Sequence, residues 1–75
     1  METGIVKMYN SDIGDGIITD KNGQDLLFCS AAFSLGKFKL NREPKKGDQV
    51  LIERKIELPL NLGFSVVSWS FKPDG

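Results

Sequence analysis

Five short stretches rich in β-branched and aromatic residues, an Asn22-Gly23 turn between two of them, and no long run with helical periodicity predict an all-β chain. The expected architecture is a small five-stranded antiparallel barrel. Its 75 residues leave room for a single domain, 1–75, around one small core.

Residues 4–10 (GIVKMYN) read as the first strand, and Asn10-Ser11-Asp12 as the turn or bulge that ends it. Residues 15–19 (DGIIT) form the second strand, with Gly14 and Gly16 on either side of Asp15. Glycine at such a place marks a bulge or a sharp barrel bend. Asn22-Gly23 between apolar segments then predicts a hairpin, so that residues 25–29 (DLLFC) return antiparallel to the second strand. Residues 30–47 are the least regular part: a short helical turn at 30–33, then a basic connection punctuated by Gly36, Asn41, Pro44 and Gly47. Residues 48–56 (DQVLIERKI) alternate and give the fourth strand. A leucine-rich loop at 58–63 leads into the fifth, 64–71 (FSVVSWSF), where parity groups Trp69 with Val67 and Phe71 as core.

Composition narrows the functional classes. The chain has no histidine and one cysteine, so it cannot build a Cys/His zinc site, a Ser-His-Asp triad or a Cys-His pair. Carboxylate chemistry needs a sheltered cleft that so small a barrel does not offer, and no enzyme is expected. Asp12, Asp15, Asp20 and Asp25 follow no EF-hand spacing, and no cofactor or metal is expected. Gly14-Asp15-Gly16 lacks the lysine and helix of a phosphate loop and reads as a strand bend. No apolar run reaches the length of a membrane span, the N-terminus Met1-Glu2-Thr3-Gly4 has no signal-peptide pattern, and Cys29 has no internal disulfide partner. These features lead to the expectation of a cytoplasmic protein that does not meet a membrane. The net charge is zero but uneven: residues 1–36 carry −3, residues 37–46 carry +4 and residues 47–75 carry −1. Such asymmetry steers an anionic partner toward one edge.

Thr3-Gly4-Ile5-Val6-Lys7-Met8-Tyr9-Asn10 resembles the opening strand of bacterial cold-shock proteins, in which a tryptophan and a phenylalanine follow the lysine. Ile13-Gly14-Asp15-Gly16-Ile17-Ile18 falls where that family has K-G-F-G-F-I, and Asp25-Leu26-Leu27-Phe28-Cys29 where it has D-V-F-V-H. Gly36-Lys37-Phe38-Lys39-Leu40 is similar to its G-F-K loop, displaced by one residue; Val50, Glu53 and Gly63 match further on. The resemblance implies an OB-fold barrel that binds single-stranded RNA or DNA on a sheet face bearing aromatic residues. The family's binding positions fall here on Lys7, Met8, Ile13, Asp15, Ile17, Leu27, Cys29, Ser30 and Phe38, with Tyr9 as a further aromatic in the first strand.

Most of those positions have changed chemistry. Met8 stands in place of tryptophan, and Asp15, Ile17 and Leu27 in place of phenylalanine. Aliphatic chains lie against a base without stacking, so three lost rings forfeit roughly 3–9 kcal/mol. Asp15 repels phosphate, and Ile13 replaces a phosphate-binding lysine. Two readings follow. In the first, the protein binds single-stranded nucleic acid weakly and with little sequence preference, through Lys7, Met8, Tyr9, Ile17 and Leu27 together with the basic loop of Lys37, Phe38 and Lys39. In the second, Met8, Ile17 and Leu27 form an aliphatic patch, extended by Leu58, Leu60 and Leu62, for a protein partner or a homodimer. A plain alternative attends each: Phe38 anchors its loop to the core, or the patch is covered by longer loops. Cys29 reads as a small inert residue rather than a redox thiol, because no cation neighbours it in sequence.

Overall fold

The computed structural model of the chain describes residues 2–33 and 42–73. They form an all-β barrel of the OB type from strands β1 (Glu2–Asn10), β2 (Asp15–Asp20), β3 (Asp25–Cys29), β4 (Gln49–Glu57) and β5 (Phe64–Phe71). Short 3-10 turns at Ser30–Ala32 and Pro59–Asn61 follow β3 and β4. The ring closes in the order β1-β2-β3-β5-β4. Four of its contacts are antiparallel, but β3 meets β5 parallel, through Leu26 opposite Phe64 and Leu27 opposite Ser65. The expected five-stranded barrel is present, and its one parallel contact follows from parity. An odd number of strands cannot alternate direction all the way around a closed ring.

The β2–β3 hairpin follows from its turn chemistry. Asp20 Oδ1 accepts the backbone N–H groups of Asn22 and Gln24, each at 2.9 Å, while Gly23 takes φ 81° and donates to Asp20 O. Positive φ at that place favours glycine. Asp20 is itself buried. Its Oδ2 accepts no hydrogen bond among the described residues, but Lys55 Nζ lies 3.9 Å away and also pairs with Glu2 at 3.0 Å. A buried carboxylate needs such a cation nearby.

β1 holds the irregularity that decides which side chains face out. Val6 is opposite Ile18 and Met8 is opposite Ile17, so Lys7 is the extra residue of a β-bulge. Gly16 permits the close approach this bend requires. A Cβ there would collide with the Met8 carbonyl oxygen and stand 2.8 Å from the Phe28 ring.

Inside the barrel, Val6, Ile18, Leu26, Val50, Ile52 and Val66 pack with Phe28 and the fully buried Trp69. Trp69 meets the rings of Phe28, Phe33 and Phe71 edge-on at 5.1–5.3 Å, and its Nε1 donates to Cys29 O at 2.8 Å. Trp69 is core, as parity proposed, but not with Val67. The β4–β5 register slips between Ile52 and Lys55, which buries Val66 and Ser68 on the same strand as Trp69. The buried Ser68 hydroxyl is satisfied by donating to Glu53 Oε1 at 2.6 Å.

Candidate nucleic-acid interface

The outer face of β1, β2 and β3 is a grid fixed by strand register. Its middle row runs Met8, Ile17, Leu27 across the three strands. Met8 and Leu27 are 47% and 49% exposed, and Ile17 is half-buried between them. On one side lies the row Ile5, Thr19, Asp25; on the other, the row Asn10, Asp15, Cys29. Three aliphatic side chains from three separate strands thus become one continuous strip, with the exposed Ile5 beside it.

Tyr9 does not join that strip. The bulge at Lys7 lets Lys7 and Met8 both face outward, and returns Tyr9 to the side of Val6, opposite Gly16 and next to Phe28. Its ring packs on Phe28 with centroids 5.9 Å apart. As a candidate base-stacking residue, Tyr9 is corrected to a partner of the core. No aromatic ring among the described residues lies on the outer grid: Phe28 and Trp69 are buried, while Tyr9, Phe33, Phe64 and Phe71 pack against the core.

Charge on the grid is mixed. Lys7 Nζ reaches across β2 to Asp25 at 2.9 Å, and the Thr19 hydroxyl donates to the other oxygen of the same carboxylate at 3.0 Å. The Lys7 hydrogen bond above all, with Thr19 adding to it, holds the Asp25 carboxyl below its usual pKa. Both members of the pair are about half exposed, so solvent screens the bond and it adds little to stability. Asp15 has no ion pair among the described residues and projects its charge into solvent.

Basic residues gather at the β1 margin. Gly47 N donates to Val6 O and Val6 N to Asp48 O, both at 2.9 Å, which stitches the turn of residues 45–48 to the strand just before the bulge. Gly47 takes φ 94° there. Lys45 and Lys46 are exposed on this turn and have no ion pair among the described residues. Arg42 is committed elsewhere: its guanidinium lies 4.0 Å above the Phe71 ring and donates to Asp48 at 2.8 Å. That bond first, helped by the Lys45 backbone N–H, lowers the Asp48 pKa. Lys37, Phe38 and Lys39 lie outside the described residues. The residues that bracket them, Phe33 and Arg42, both rest on Phe71.

Two open hollows flank the grid. One of about 250 Å³ is lined by Asp15, Gly16, Leu27, Phe28, Cys29 and Ser65; the other, about 280 Å³, lies beyond Ile5 and includes Lys21, Gln49 and Lys72. Leu60 and Leu62 are exposed in the turn before β5, and Leu60 takes φ 58°, an unfavourable conformation for a leucine. Among the described residues, no group of His, Cys, Asp and Glu side chains is arranged to hold a metal, and no helix is long and apolar enough to cross a membrane. Sequence reasoning missed the outward Ile5 and the placement of Lys45 and Lys46 beside β1. The first follows from strand alternation; the second depends on a turn-to-strand contact that leaves no local pattern.

No protein-family model and no curated protein sequence matches the chain.

Proposed function

We propose that this barrel is a binding module for single-stranded RNA or DNA, weak and largely indifferent to base sequence, acting in the cytoplasm and not as an enzyme. The observation that carries this reading is the turn bearing the exposed Lys45 and Lys46, which backbone hydrogen bonds of Gly47 and Asp48 hold against Val6 in β1, one residue before Lys7. Phosphates track these cations and release counterions. Met8, Ile17 and Leu27 give bases an apolar surface without stacking, while the segment carrying Lys37, Phe38 and Lys39 contributes further charge and one ring. The resemblance of residues 3–29 to the cold-shock opening strands supports the same reading. Asp15 works against it and keeps the affinity low.

The test is an NMR titration of labelled protein with oligothymidine and with mixed-sequence RNA at low salt. Shifts are expected at Lys7, at residues 45–47 and at 37–39, with similar affinity for both ligands. Three neutralised phosphates predict a loss of about 20-fold between roughly 50 and 200 mM salt. Lys45→Glu combined with Lys46→Glu should remove most binding. Unchanged spectra at millimolar ligand would end this reading.

A further inference from the structure

We propose that the hollow beyond Ile5 seats one phosphate of a bound single strand, with its sugar laid against the Ile5 side chain. This rests on the nucleic-acid reading above and fixes which way the strand lies across the barrel. The hollow, of about 280 Å³, spans the outer side of β4, β1 and β2, where Gln49 and Thr19 stand opposite Ile5 on its two sides. Sites for drug-sized ligands run from roughly 300 to 1,000 Å³, so this one has room for a single nucleotide unit and little more. Lys21 and Lys72 line it with Thr3. Both ammonium groups are exposed and have no partner among the described residues. Lys72 is held there by its backbone, whose N–H donates to Gln49 O at 3.0 Å, and Lys21 by the turn that follows Asp20. The one carboxylate in the wall, Asp20, is turned inward. Its Oδ1 accepts the N–H groups of Asn22 and Gln24, and its buried Oδ2 faces Lys55. A phosphate in the hollow therefore meets two free cations and no free carboxylate.

Charge complementarity selects a nucleic-acid strand as the occupant. The turn of residues 45–48 runs directly into Gln49 and carries a second pair of cations, Lys45 and Lys46, also without ion pairs among the described residues. Lys46 and Gln49 are three residues apart, at most about 11 Å of chain, so the two pairs address neighbouring phosphates of one backbone. Residues 2–5, 19–21, 42–52 and 72 build this side. Against its four unpaired lysines they hold one unpaired carboxylate, Glu43, since Glu2 pairs with Lys55 and Asp48 with Arg42. The opposite border of the grid has the reverse sign, because Asp15 stands there without an ion pair among the described residues. The sugar-phosphate backbone thus runs along the Ile5 side, with its bases turned toward Met8, Ile17 and Leu27.

The test sets Lys21→Ala combined with Lys72→Ala against the parent in oligothymidine titrations from roughly 50 to 200 mM salt. Losing one phosphate contact should lower affinity about fivefold at low salt and make the slope of log K against log salt shallower by about 0.7. Arg54→Ala, which removes an exposed charge on β4 outside the hollow, should leave that slope unchanged. In the parent, the amides of Thr3, Ile5, Thr19 and Gln49 should shift on titration together with those of residues 45–47. In the double variant the first group should fall silent while the second still shifts. If the parent binds and the double variant matches it in affinity and slope, this placement is overturned and the nucleic-acid reading stands. A parent that stays silent at millimolar ligand overturns both. A phosphorylated peptide of the same charge that binds as tightly overturns the choice of occupant.

Discussion

The two faces of the β1–β2–β3 sheet carry different kinds of apolar residue. The inner face presents Tyr9 and Phe28, continued by Trp69, Phe33 and Phe71 into a chain of rings in mutual contact. The outer face presents Met8, Ile17 and Leu27 and no ring among the described residues. The rings hold the barrel together, while the surface carries only flexible aliphatic chains and mixed charge. The contrast separates what makes the fold from what covers it: rings fill the inside, and aliphatic chains with mixed charge form the outside.

That contrast can be broken from the inside first. Trp69→Ala removes a fully buried ring, three edge-on contacts and the hydrogen bond to Cys29 O. A loss of about 4 kcal/mol is expected in urea unfolding. For a 75-residue domain that is much of the total. A loss under about 1.5 kcal/mol would mean the ring cluster is not the centre of the core.

A smaller effect is expected where the two faces are fixed relative to one another. Gly16→Ala places a methyl against the Met8 carbonyl and the Phe28 ring at an ordinary backbone conformation, so the penalty is one of contact alone. Thermal unfolding should show a loss of about 2 kcal/mol. Near-parental stability would indicate that the bulge at Lys7 relaxes freely. The least effect belongs to the outer row: Leu27→Thr should move stability by no more than about 0.5 kcal/mol. If it destabilised the barrel as a core substitution does, Leu27 would have to be covered rather than exposed.

Much of the fold could be read from residues. Alternation placed all five strands to within two residues, and Asn22-Gly23 fixed the β2–β3 hairpin because positive φ is needed where the glycine stands. The sequence did not disclose the phase of β1. In Ile5-Val6-Lys7-Met8-Tyr9 nothing local tells which residue is the extra one, and that choice decides whether Tyr9 or Met8 faces outward. The phase of β5 was hidden for the same reason, since its slip against β4 is a property of two strands together. On the candidate surface, side-chain type at matched positions was enough to group Met8, Ile17 and Leu27. The nearness of Lys45 and Lys46 to β1 was not legible, because it arises from backbone hydrogen bonds between segments about 40 residues apart.

The short parallel seam has a consequence for motion. Among the described residues, β3 is joined to β5 by two register pairs, with the Trp69 indole bond to Cys29 and the Phe33–Trp69 bridge as latches beyond them. Every other strand junction is longer, so local opening of the barrel begins at this seam, and amide exchange should be fastest to follow it there. An opening there would part the edge-on contact of Phe28 with Trp69, so the largest rings of the core lie directly behind the shortest joint of the wall.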